Sequence, residues 1–200
     1  IQDYVLKIIN KPSYLIKQRN QSINFVNVDG IKLVTEWLVG NLSELNWKVR
    51  KASKKDLMLY WDWVNDSEVR NNSINKKSIP WENHIEWFIS KLANKNCSLY
   101  LICADNKPVG QVRFENEKNF AKIDYSIARQ FRGRKLGNKI LNLAIEKFQK
   151  SNSIKILGEV LPGNIASAKT FESLGFSMKI NRGNKIYTKE GGRLTKINAR

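Results

Sequence analysis

The period of the hydrophobic positions changes repeatedly along the chain, and each change marks an element. From residue 45, LNWKVRKA alternates and predicts a strand. Apolar positions in DLMLYWDWVN recur at helical spacing, with Ser53 as the expected cap. The polar run DSEVRNNSINKKSIP predicts a loop, and Pro80 is suitably placed to open a second helix over WENHIEWFISKLAN. SLYLICAD, VGQVRFE and AKIDYSIA then alternate as strands, joined by DNKP and NEKN, which have hairpin-turn chemistry. In the next segment Leu136, Ile140, Leu141, Ala144, Ile145 and Phe148 form one stripe near period 3.6, which predicts a helix over GNKILNLAIEKFQK. IKILGEVL predicts a strand and IASAKTFESL a helix ended by Gly175; FSMKI and NKIYTKE predict two final strands. Antiparallel strands followed by a βαβ crossover make an α/β fold: a mixed, mostly antiparallel twisted sheet with helices on both faces.

Ahead of this pattern, DYVLKII reads as helix, INFVNV as strand and GIKLVTEWL as a helix capped by Asp29. Residues 1–44 are too short to form a core of their own. They are expected to be an appendage or the remnant of a preceding domain, with residues 45–200 forming the main domain. The chain begins with Ile1 and is expected to be processed or cut from something longer.

Composition narrows the classes. Hydrophobic residues make up 42% of the 200, enough for a packed core. No apolar run approaches the ~20 residues that cross a bilayer, so a membrane is not an expected partner. The net charge of +17, from 35 Lys+Arg against 18 Asp+Glu, favours polyanionic partners. The basic residues are scattered and no aromatic-basic motif of a recognised RNA or DNA fold occurs. This leaves either a generally basic surface or a nucleotide-bearing ligand, with nucleic acid not expected. Cys97 and Cys103 fall in one strand-like run. Six residues of strand span about 20 Å, beyond the ~7 Å limit on Cα separation in a disulfide, so free thiols and a cytoplasmic location are expected. One His and two free thiols do not assemble a metal site.

The run QFRGRKLGNKIL holds the main chemical signal. A helix that starts between Gly133 and Leu136 presents unpaired amides and a positive dipole end. Gly133 can adopt φ > 0 and admit a ligand to the backbone, and Arg132, Arg134 and Lys135 add positive charge. Such a loop suits a pyrophosphate. On its own it is equally readable as a basic helix start.

YSIARQFRGRKLGNKIL resembles the acetyl-CoA loop of GNAT-type N-acetyltransferases, with Gln130 and Gly133 at matching positions. Lys135 stands where that pattern has a small residue, and Gly137 follows two positions on. LPGNIASAKTFESLGF is similar to the family's later helix. The resemblance spans Asn46 to Glu190 and implies a fold of about seven strands and four helices. Two adjacent parallel strands, here 120–128 and 154–161, splay apart to admit the pantetheine arm. Acetyl-CoA is the implied cofactor. Around it, Ser126, Ile127 and Ala128 supply backbone amides, and Leu136 lies in the loop. Asn164 and Ser167 serve the pantetheine or phosphates, and Lys169 the nucleotide end.

The first half carries a narrower resemblance. Trp63, Asn65, Asp66, Arg70, Asn72 and Ser73, with the His84, Trp87, Phe88 series, look like the acetyltransferases of pseudaminic acid biosynthesis. Those enzymes acetylate the 4-amino group of a UDP-linked amino sugar. KPSYLIKQRNQSINFVNVDGIKLVTEWL resembles the tail of the UDP-sugar hydrolase of the same pathway, which implies a fused or adjacent hydrolase. The acceptor walls are then expected from Arg70, Asn72, Ser73, Trp81, His84 and Trp87. Arg70 suits a diphosphate by its planar fork. The Trp residues serve either as core or as stacking platforms, and His84 either as a ligand or as a plain helix-face residue.

Acetyl transfer to an amine needs a base, a donor to the carbonyl oxygen, and help for the leaving thiolate. Glu159 is the first candidate base. In an apolar strand its pKa is expected to rise by burial; otherwise it faces solvent on an alternating strand. Asp124 is the second candidate, and Asp66 is expected to pair with a basic residue. Phe171 stands where many relatives have a Tyr acid. Tyr125 and Tyr187 are other phenols, without support from spacing. Competing readings are an acetyltransferase of protein N-termini, of the ribosomal-protein type, and a non-catalytic acyl-CoA-binding module. Lys135 and Phe171 favour the latter.

Overall fold

The computed structural model describes residues 45–192. The expected helix, strand and helix of residues 1–44 lie outside the described residues. Seven strands form one sheet in the order β1-β2-β3-β4-β5-β7-β6. They are β1 (Trp47–Lys51), β2 (Cys97–Ala104), β3 (Lys107–Asn116), β4 (Phe120–Ile127), β5 (Lys155–Val160), β6 (Ser177–Asn181) and β7 (Asn184–Lys189). Among the described residues only β4 and β5 pair in parallel, through the crossover helix α4 (Gly137–Gln149). The other helices are α1 (Leu57–Val64), α2 (Ser67–Asn71), α3 (Trp81–Ala93) and α5 (Ile165–Ser173). The mixed, mostly antiparallel sheet is as the hydrophobic periods predict.

Turn chemistry fixes the hairpins. Asp105 and Asn106 join β2 to β3 with φ of 47° and 66°, and Arg182 and Gly183 join β6 to β7 with φ of 48° and 83°. Both are two-residue turns with positive φ at each position, whose twist matches that of the flanking strands. Cys97 and Cys103 sit at the two ends of β2 as free thiols.

Strand alternation assigns the faces. Arg113 and Phe114 are neighbours on β3 and point opposite ways. Arg113 lies 5.4 Å from the Trp87 ring of α3, while Phe114 stacks on Phe148 of α4 at 4.1 Å. So α1 and α3 cover one face, and α4 and α5 the other. Phe114 and Phe148 are fully buried, each stabilising the fold by roughly 1.5–3 kcal/mol.

Two local predictions change. The polar loop at 66–80 contains the short helix α2, capped by Asp66, whose carboxylate accepts from the Glu68 and Val69 amides at 3.1 and 3.3 Å. Ser53 precedes a 3₁₀ turn (Lys54–Asp56) that runs into α1, and its amide and hydroxyl both donate to Asp56 Oδ2. Asp56 is 6% exposed and forms a bidentate pair with Arg50, at 2.8 and 2.6 Å. Burial alone would raise its pKa, but Arg50 and the Ser53 amide outweigh burial and hold it below the ordinary value.

Candidate active site

The parallel pairing of β4 with β5 runs from Phe120↔Lys155 to Ile123↔Gly158 and stops. Beyond that point β4 stays paired to β3 as far as Ile127, and β5 stays paired to β7 as far as Val160. The facing edges therefore part in mid-sheet. Gly158 sits where they separate. A Cβ there would lie 2.6 Å from the ring tip of Phe171, so the missing side chain makes room for α5. The splay falls on the two strands expected to carry it.

Backbone parity decides which groups face the gap. The Ala128 amide donates to the Val109 carbonyl at 2.9 Å, and the register pairs Gln111 with Ser126. Antiparallel bonding alternates, so the amides of Ser126 and Ala128 are used by β3, while those of Tyr125 and Ile127 face the gap. Of the three residues expected to supply amides, only Ile127 is placed to do so.

A cavity of about 590 Å³ extends from the gap to the start of α4. Gly133 has φ of 73° and Lys135 φ of 59°. Alternating left-handed residues turn successive amides to one side and make an anion-binding concavity. The first i→i−4 bond of α4 is from the Ile140 amide to Leu136 O, so the amides of residues 137–139 precede the helical ladder. Lys135, the departure from the small-residue pattern, accepts a conformation costing about 1–2 kcal/mol for an L residue. Leu136 and Lys169 also line this cavity.

Several side chains expected at the cofactor are engaged elsewhere. The Arg132 guanidinium donates to Asp66 Oδ1 at 2.6 Å, to Glu68 Oε2 at 3.1 Å and, through Nε, to Ile127 O at 2.9 Å. Its charge is matched by the carboxylates of Asp66 and Glu68 at α2 and adds little to the turn at Gly133 and Lys135. Asp66 pairs with a basic residue as expected; burial would raise its pKa, but Arg132 draws it below the ordinary value. Asn164 Oδ1 caps α5 by accepting from the Ser167 amide at 3.1 Å. Gly137 is a packing residue as well as a helix start, since a Cβ there would meet Thr170 Oγ1 at 2.8 Å. Gln130, Ala128 and Arg134 do not line the cavity.

A second cavity of about 570 Å³ lies on the other face, under α1, α3 and the 66–80 segment. The two cavities meet along a shared lining that includes Asn72, Ser73, Asp124, Tyr125, Ser126 and Glu159. Arg70 spans the 66–80 segment, donating to Ser73 Oγ at 3.1 Å and to Asn75 O at 3.1 Å. Its Nε is buried without a hydrogen-bond partner among the described residues. It has no ion pair among the described residues, burial lowers its pKa, and Asp124 opposes that shift. Asn72 and Ser73 also line this cavity; Asn72 Nδ2 donates to Glu68 O at 3.0 Å and Ser73 Oγ to Val69 O at 2.7 Å.

Of the three expected aromatic and imidazole contacts, one holds an open position. Trp87 lines the cavity beneath Arg113. Trp81 does not line it, and packs edge-on against Trp61 at 5.3 Å. His84 is 1% exposed, with Nε2 3.2 Å from Leu57 O. Burial pushes its pKa down to about 4, so it is a neutral, packed histidine in the cavity wall.

Glu159 departs from expectation in its environment. Ile156 and Val160 are buried, and Glu159 alternates onto the opposite face, that of the second cavity. It accepts from Asn184 Nδ2 at 2.7 Å and pairs with Lys122 at 3.4 Å. The Asn184 hydrogen bond, opposed by burial and aided by Lys122, holds its pKa below the ordinary value rather than above it. Asp124 lies on the same face, with a side chain 55% exposed and 3.5 Å from Arg113.

Sequence reasoning named Tyr125 among the available phenols but found no support for it in spacing. Its hydroxyl is 3.1 Å from Ser167 Oγ, and its ring meets Phe171 edge-on at 6.0 Å. The available signal was the strand period, which sets Tyr125 opposite Asp124 and Ser126.

Residues 47–177 match the family described as Acetyltransferase (GNAT) domain. Among solved structures, a domain from Methanocaldococcus jannaschii DSM 2661 is 24% identical with a TM-score of 0.65, covering 74% of this chain and 99% of that one. Spermidine N-acetyltransferase from Vibrio cholerae, in complex with CoA and spermine, is 16% identical with a TM-score of 0.62, covering 71% of this chain and 92% of that one. An aminoglycoside acetyltransferase in complex with ribostamycin and coenzyme A is 18% identical with a TM-score of 0.63, covering 77% and 99%. These likenesses establish the fold. Curated protein sequences give no match.

Proposed function

The chain belongs to the GNAT acetyltransferase family, and on that premise we propose that it transfers an acetyl group from acetyl-CoA to the amine of a nucleotide-linked amino sugar. The acceptor is of the UDP-4-amino-4,6-dideoxy type, which places the enzyme in pseudaminic acid synthesis in the cytoplasm. Residues 1–44, by their resemblance, belong to the end of a hydrolase of the same pathway.

One observation carries the reading: the strands part at Ile123 and Gly158, and a cavity opens on each face at that point. The residues present fit acetyl-CoA. The left-handed pair at Gly133 and Lys135 and the amides at the start of α4 receive a pyrophosphate, and the free edges of β4 and β5 receive an amide-bearing arm. Acetyl-CoA supplies the acetyl group as an activated thioester.

The chain's own groups do the rest. The Ile127 amide, turned into the gap, is the candidate donor to the carbonyl oxygen. Glu159, held ionised by Asn184 and Lys122, takes the amine's proton, and Asp124 is the alternative acceptor. Arg70 has no carboxylate partner among the described residues, and its guanidinium in the acceptor wall supports an anionic acceptor with Trp87, Asn72 and Ser73 beside it. The test is a mass-shift assay with acetyl-CoA against UDP-4-amino sugars and against peptides with free N-termini. Acetylation of a peptide alone would favour the N-terminal acetyltransferase reading.

A further inference from the structure

The strand period separates an acid from a base at the junction of the two cavities. Asp124 and Ser126 lie on the acceptor face of β4, and Tyr125 between them points to the opposite face, toward α5. Tyr125 lines both cavities. Its hydroxyl meets Ser167 on α5, one helical turn before Phe171. Phe171 itself is 3% exposed, packed over Gly158 and stacked on Tyr187 at 5.3 Å, and it has no proton to give. Tyr187 is fully buried and its hydroxyl donates to Glu172 Oε1 at 2.8 Å. The other hydroxyls at the junction are serines, which are far weaker acids than a phenol. Ser73 donates to Val69 O, and Ser126 lies on the acceptor face, where Gln111 donates to it.

We propose that Tyr125 is the acid of the reaction, giving its hydroxyl proton to the sulfur of coenzyme A as the acetyl group leaves. The proposal rests on the reading of the first cavity as the acetyl-CoA site. As the amine nitrogen bonds to the acetyl carbon, the amine loses one proton to the carboxylate side of the junction. The carbon–sulfur bond breaks with its electron pair on sulfur, and the Tyr125 proton converts that sulfur to a thiol. Ser167 passes a proton from water back to the phenolate, and the carboxylate releases its own to water, so the proton count closes. Burial raises the Tyr125 hydroxyl above its usual value, with Ser167 opposing, which keeps it protonated at neutral pH.

Tyr125→Phe in the full chain tests this with three readings. The transfer rate should fall by ~10²-fold, the scale of a lost general acid, while calorimetric affinity for acetyl-CoA stays within about threefold. The thiol of bound coenzyme A, titrated by its ultraviolet thiolate band, should show a pKa raised by about one unit, because the thiolate loses a donor. The proposal is overturned by a wild-type rate in Tyr125→Phe or by an unchanged pKa of the bound thiol. A wild-type chain that does not bind coenzyme A at all would remove the site itself, an outcome the calorimetry separates from these.

Discussion

The two cavities share β4 and differ in what they are made of. On the α4/α5 side the working groups are backbone: two left-handed residues, the first amides of a helix, and the open edges of two strands. Apart from Tyr125 with Ser167, the side chains there serve the protein itself, Arg132 binding Asp66 and Asn164 capping α5. On the α1/α3 side the working groups are charged side chains in the wall: Arg70, Arg113, Lys122, Asp124 and Glu159. A backbone site reads the constant parts of a ligand and tolerates changes in sequence. A side-chain site sets which acceptor enters, and one substitution can change it.

The largest expected effect concerns whether His84 belongs to the chemistry or to the packing of that wall. Its folded pKa of about 4 lies below the ordinary 6.5, so the unfolded chain binds the extra proton between those values. Stability therefore falls as the pH drops through that window, by as much as about 3 kcal/mol, and is fully present above it. Denaturation at pH 7 and pH 4.5 measures the step, and His84→Phe should remove it. A step that persists in the variant would make His84 a titrating group of no consequence to the fold.

Next in size is Glu159→Gln, which should lower the transfer rate by ~10²-fold while both ligands still bind. Because the Glu159 carboxyl is held below its ordinary value, it is ionised throughout the neutral range and gives no acidic limb there. The rate should rise with pH through the amine's own deprotonation, and the variant's deficit should shrink in alkaline buffer. A wild-type rate in the variant at pH 7 would move the base to Asp124.

Arg70→Lys separates the cavities directly. A lysine keeps the charge but loses the fork that reaches Ser73 and Asn75. Acceptor affinity should fall about tenfold, or ~1.5 kcal/mol, with acetyl-CoA affinity unchanged. Equal loss of both ligands would mean that Arg70 only holds the 66–80 segment together. The smallest effect is the reverse case. A Cβ added at Gly133 meets no described atom within 4 Å, so the cost of Gly133→Val is a branched side chain at φ of 73° and crowding of the proposed phosphate site. Acetyl-CoA should bind about five- to tenfold more weakly, with the acceptor unaffected. Equal affinity for acetyl-CoA would take the loop out of the site.

Legibility in the sequence follows the same division. The strands, the crossover and the glycine turn before α4 were readable because they depend on backbone rules: alternation, the 3.6 period, and glycine where φ is positive. The splay at Gly158 was readable only through resemblance, since no local pattern marks where two strands part. The side-chain roles were the least readable. Arg132 carries a positive charge in the right loop, yet its partners, Asp66 and Glu68, lie more than sixty residues earlier. Glu159 reads as buried among Ile156, Leu157 and Val160, but the strand period turns it to the face where Lys122 and Asn184 meet it. Helix α2 was hidden because SEVRN has no apolar stripe, and the carboxylate of its Asp66 cap also pairs with that same distant arginine.

The most direct test of the account is to incubate the purified full chain with acetyl-CoA and a UDP-4-amino-4,6-dideoxy sugar and follow both products by mass spectrometry. The account predicts that the sugar nucleotide gains one acetyl group as free coenzyme A appears in equal amount. Coenzyme A binding with no acetylation of any nucleotide-linked amino sugar would contradict it.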